Sequence, residues 1–84
     1  MNNFTTFEQA MAYLDCGNHY IDAIWNNDKI NNVHIKKDAL TRHFVWTCNK
    51  ITELDYSKIT DDEFNAISDA YYAFRSHYRE LVKD

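Results

Sequence analysis

Between Phe64 and Leu81, six apolar residues (Phe64, Ile67, Tyr71, Phe74, Tyr78 and Leu81) recur at steps of three and four. That spacing puts them on one side of an α-helix but on both sides of a strand, so the segment has to be helical to bury them together. Its start is marked as well. Thr60 precedes Glu63 by three positions, the spacing at which a hydroxyl accepts a backbone N–H while the acid reaches back to the cap. Asp61, Asp62 and Glu63 open the segment, and Arg79 and Lys83 close it, which suits the dipole of a helix over about 61–82.

The remaining sequence follows the same period. It contains no Pro and a single Gly, Gly17, and β architectures need turn residues far more often than that. A first helix is expected over about 7–27, with Thr6 and Gln9 as a second candidate capping box. Its stripe is Phe7, Met11, Leu14, Asn18, Ile21 and Trp25, flanked by Ala10, Gly17 and Ile24. Glycine is favoured just past a helix C-terminus, so a break at Gly17 would give four helices. The apolar phase runs through Gly17, which favours one helix whose glycine lets a neighbour come close. Asn26, Asn27, Asp28, Asn31 and Asn32 mark a turn region, with Val33 and Ile35 expected to anchor the incoming loop. A second helix over about 36–54 carries Leu40, Phe44, Thr47, Ile51 and Leu54, and Ile59 is placed to staple onto Phe64. The fold class is therefore all-α: one domain over 1–84, a compact antiparallel three-helix bundle, or four helices if the first breaks at Gly17.

The same composition removes several kinds of chemistry. A single glycine excludes phosphate-cradling and dinucleotide loops, and Ser57, Ser68 and Ser76 lack a G-x-S-x-G context. Cys16 and His19 neighbour each other on a helix without a third group, so no catalytic residues and no enzyme are expected. Cys16 with His19 is also the one helical pair among the candidate metal ligands Cys16, His19, His34, His43, Cys48 and His77. His43 and Cys48, five apart, fall on different faces, so neither a metal nor a cofactor is expected. Two cysteines do not make a disulfide framework. No apolar run of about 18 residues suggests a membrane span, and no charged-then-apolar leader is visible, so a cytoplasmic setting is expected.

The formal net charge is −4, unevenly spread. Residues 1–28 hold four acids and no Lys or Arg, residues 29–50 hold five basic residues against one acid, and residues 51–84 hold eight acids and four basic residues. The ordinary reading is a basic helix between two acidic ones. A sharper reading makes Lys36, Lys37, Arg42 and Lys50 a nucleic-acid contact, against which the acidic flanks stand.

Once each helix is given its best inward stripe, several large side chains are left over. At 100° per residue, Trp46 lies about 120° from the second stripe and Tyr72 about 100° from the third, with Arg75 and Arg79 on its side. Tyr13 and Tyr20, seven apart, form a second line on the first helix. Such residues often sit half-buried with polar tips in water. They are also the types that dominate binding energy at protein interfaces. Arg42, Trp46, Tyr72, Arg75 and Arg79 are thus the candidate partner-binding residues, for another protein or a second copy of the chain. The function expected is a small non-enzymatic interaction protein. Its Asn-rich, Gly-poor composition points toward a phage or mobile-element inhibitor of a host enzyme or defence complex. A nucleic-acid-binding transcriptional regulator using 29–50, and an immunity or antitoxin protein, are the alternatives.

Overall fold

A computed structural model describes residues 5–83. Three helices, α1 (Thr6–Trp25), α2 (Val33–Thr52) and α3 (Asp61–Val82), pack against one another, with one 3₁₀ turn at Tyr56–Lys58 before α3. The capping box of α3 forms as the sequence predicts: the Glu63 N–H donates to Thr60 Oγ1 at 3.1 Å and the Thr60 N–H to Glu63 Oε1 at 3.0 Å.

The other two starts differ from the expected ones. Thr5, not Thr6, caps α1, its hydroxyl accepting the Glu8 N–H at 3.2 Å. Thr5 and Glu8 obey the same spacing as Thr6 and Gln9, and an acid in the first turn serves the helix dipole better than a neutral amide. The helix ends at Trp25 rather than 27, where the Lys36 ammonium donates to the Trp25 carbonyl at 2.8 Å. α2 begins at Val33, three residues before the expected boundary, because Asn32 Oδ1 accepts the His34 N–H at 2.8 Å and the Ile35 N–H at 3.4 Å. Two otherwise orphaned donors are thereby satisfied. Val33 and Ile35 are consequently exposed first-turn residues (45% and 58%), not loop anchors. At its other end α2 stops at Thr52, and Leu54 reaches the core from the connection that follows.

Gly17 does not break α1, which runs unbroken on either side of it. A Cβ there would stand 3.0 and 3.1 Å from the Phe74 ring and 3.3 Å from Thr47 Oγ1, so Gly17 marks the point where all three helices converge. The pairings set the topology. Trp25 meets Lys36 and Tyr20 meets His43, so α1 and α2 are antiparallel. Thr41 meets Tyr78 at 2.7 Å and Phe44 stacks on Phe74, so α2 and α3 are antiparallel too. The buried core is Ala10, Leu14, Ile21, Leu40, Ile51, Ile67 and Phe74, with Thr47 sealed among them.

The bundle is less compact than a three-helix stripe pattern implies. It measures 44 × 29 × 16 Å with a radius of gyration of 14.1 Å, whereas about 12 Å is usual for this length. The cause is the arrangement of α1, which packs along both other helices while α2 and α3 touch each other least. Phe64 shows the effect. The sequence places it on the inner stripe, yet it is 50% exposed, lying edge-on to Tyr56 at 6.0 Å where the two helices have parted.

Candidate protein-binding surfaces

Seven residues are two helical turns, so Tyr13 and Tyr20 share one line of α1. His43 and Trp46, three apart, share one line of α2. Antiparallel packing brings the two lines together as a row of rings. Tyr20 stacks on His43 at 4.0 Å, His43 stacks on Trp46 at 5.4 Å, and Tyr13 meets Trp46 edge-on at 5.8 Å. The row is only partly covered, since Tyr20 is 50% and Trp46 47% exposed. The Lys50 ammonium stands 5.6 Å over the Trp46 ring, and Arg42 holds Asp38 at 3.1 Å one turn before Trp46. A shallow groove of about 280 Å³ opens here between Tyr20, Ala39, Arg42, His43 and Trp46. His43 Nε2 is sealed beneath it without a hydrogen-bond partner among the described residues, and burial holds this imidazole below the ordinary histidine pKa.

A second, more apolar groove of about 300 Å³ lies where α2 and α3 diverge, with Cys48, Ile51, Phe64, Ile67, Tyr71 and Tyr72 in its walls. No charged side chain among the described residues lines it. Burial pushes the Cys48 thiol up in pKa, partly offset by its bond to Tyr71, so the thiol stays protonated and poorly nucleophilic. Burial and the neighbouring Cys48 likewise push up the Tyr71 phenol. Tyr72, 58% exposed, stands edge-on to Tyr71 at 5.4 Å on the lip of the groove.

The five residues singled out from the sequence therefore fall into two groups. Arg42 and Trp46 belong to the α1–α2 surface, whereas Tyr72, Arg75 and Arg79 lie on α3, with Arg79 in a polar recess beside Ser76, Glu80 and Lys83. Trp46 and Cys48, two residues apart on α2, line different grooves and separate the groups. Tyr20 and His43 complete the first surface and Phe64 the second. Tyr20 was visible in the sequence as part of a second line on α1. His43 entered the sequence reading only as a candidate metal ligand set apart from Cys48, not as part of an aromatic line.

The cations of the nucleic-acid alternative have partners inside the fold. Lys36 caps α1 and lies 5.8 Å over Trp25, Arg42 pairs with Asp38, and Lys50 lies 3.9 Å from Glu53. Lys37 stands beside Lys36 in the first turns of α2. Cys16 is exposed, His19 pairs with Asp15 at 3.6 Å, and His77 reaches Asp22 at 2.6 Å. Among the described residues no three His, Cys, Asp or Glu side chains converge on one point, and no helix is long and apolar enough to cross a membrane. No known protein-family model matches this chain, and neither a curated protein nor a solved structure is detectably similar to it.

Proposed function

We propose that this chain is a non-enzymatic interaction module that binds another protein through the Trp46 surface. The observation that carries the reading is the half-exposed ring row Tyr20–His43–Trp46–Tyr13, in which each ring packs on the next across two helices. Preordered aromatics give large contact area at little entropic cost on binding. Charged side chains surround the rings. α2 carries four basic residues against one acid, while α1 carries three acids and no base. A complementary protein surface presents an apolar side chain to the groove and a polar rim to the exposed Arg42–Asp38 and Lys50–Glu53 pairs beside it. The sequence composition supports a setting among small inhibitors that act by occupying the surface of a host enzyme.

The test is affinity capture from host extract with the wild-type chain and with Trp46→Ala. A protein retained by the wild type and released by Trp46→Ala, with helical circular dichroism unchanged, supports the reading. Equal capture by both chains removes Trp46 from the interface. Retention of DNA or RNA that falls steeply with salt, in place of a protein, transfers the basic segment to the nucleic-acid alternative.

A further inference from the structure

α3 has a second stripe besides its buried one. At 100° per residue, Asp61, Phe64, Ser68, Tyr72, Arg75 and Arg79 lie within an arc of about 80°, roughly 100° round from Ile67 and Phe74. All but Ser68 are exposed, and Ser68 is half-buried. Phe64, Ser68 and Tyr72 also line the apolar α2–α3 groove.

The order of side chains along this stripe is self-complementary. It begins with an acid, passes through a small residue and a large aromatic, and ends with two arginines. Turned end for end about a point midway between Ser68 and Tyr72, the stripe sets Asp61 against the partner's Arg79 and Ser68 against the partner's Tyr72. Arg75 then falls beside the partner's Phe64. The two charged contacts lie about 27 Å apart along the helix, at either end of an apolar centre. None of Asp61, Arg75 and Arg79 makes an ion pair among the described residues.

We propose that α3 pairs antiparallel with α3 of a second copy of this chain across a two-fold axis near Ser68 and Tyr72. The contact is isologous, so each charged and aromatic residue is used twice. Each Tyr72 packs over the partner's Ser68 and reaches into the partner's α2–α3 groove, whose described lining is uncharged. The inference rests on α3, the half of the proposed binding residues that does not include Trp46, so it stands or falls apart from the Trp46 surface.

Sedimentation velocity across a concentration series tests it. At about 100 µM the wild-type chain is expected to sediment near twice its 10.0 kDa mass. Tyr72→Glu is expected to be monomeric with its helical circular dichroism retained. Asp61→Arg and Arg79→Asp each place like charges opposite one another and are expected to weaken association about tenfold. Combining both in one chain restores unlike pairs, as does mixing the two single variants. The double variant separates dimerisation from helix stability. Each substitution opposes the helix dipole, so a stability effect makes the double variant worse than either single one, whereas pairing makes it better. A wild type that stays monomeric at about 200 µM overturns the proposal, as does a dimer indifferent to Tyr72→Glu or a double variant weaker than both singles. A monomeric wild type leaves capture through Trp46 unaffected.

Discussion

The Phe74 ring occupies the space that the missing Cβ of Gly17 leaves open: a methyl at Gly17 would stand 3.0 Å from Phe74 Cε1. Phe74 is fully buried and Thr47 closes the other side, so the ring cannot swing into solvent. Gly17→Ala gains about 1 kcal/mol in helix propensity and loses about 1–3 kcal/mol to overpacking. The expected net is a destabilisation of about 1 kcal/mol in urea unfolding, and a bulkier Gly17→Leu is expected to prevent packing of the bundle. A Gly17→Ala chain more stable than the wild type would show that α1 and α3 separate easily at this point.

The cap assignments give a second comparison. Thr60→Ala removes a two-way box and Thr5→Ala a single hydroxyl bond, and each is expected to cost about 1 kcal/mol. Thr6→Ala, one residue into α1, is expected to change stability by less than about 0.5 kcal/mol. Equal losses at Thr5 and Thr6 would move the start of α1.

His43 makes stability pH-dependent with a definite sign. Its folded pKa lies below the ordinary 6.5 because burial disfavours the charged ring. The unfolded chain therefore takes up the proton first. The contribution of neutral His43 is complete above pH 6.5 and is lost as pH falls through the folded value. Urea midpoints are expected to drop from pH 7.5 toward pH 5, and His43→Gln, which stays neutral, is expected to flatten part of that slope. An unchanged slope in His43→Gln would assign the pH dependence to other groups.

The two thiols are expected to differ in reactivity. Cys16 is exposed, whereas burial raises the pKa of Cys48 and its position in the groove wall restricts access. Ellman's reagent at pH 8 is expected to modify one thiol quickly and the second at least about tenfold more slowly, the two rates converging in denaturant. Cys16→Ser should remove the fast phase. If the slow phase disappears instead, the assignment is reversed.

What the sequence revealed follows from the kind of information each feature carries. The stripe of α3, its capping box and the close approach at Gly17 depend on residues near one another in sequence or on helical phase, and all three were legible. The start of α2 was not, because Asn32 acts by hydrogen bonding to two backbone amides and the apolar period begins only at Leu40. Phase also placed Trp46 and Tyr72 off their own stripes. It could not place them on separate grooves, since that depends on which neighbour lies on which side of α2, and helical phase does not encode the handedness of a bundle. Phe64 failed for a related reason: the phase identifies its inward direction, but the splay of α2 from α3 leaves little on that side to cover it.

That splay also sets how motion is distributed. α1 acts as a shared axle with the other two helices leaning on it separately, so widening the gap between them disturbs few interior contacts. Amide protons at the middle of α1 should be the last to exchange with solvent, and the facing edges of α2 and α3 should open earlier, as a clasp whose hinge is intact.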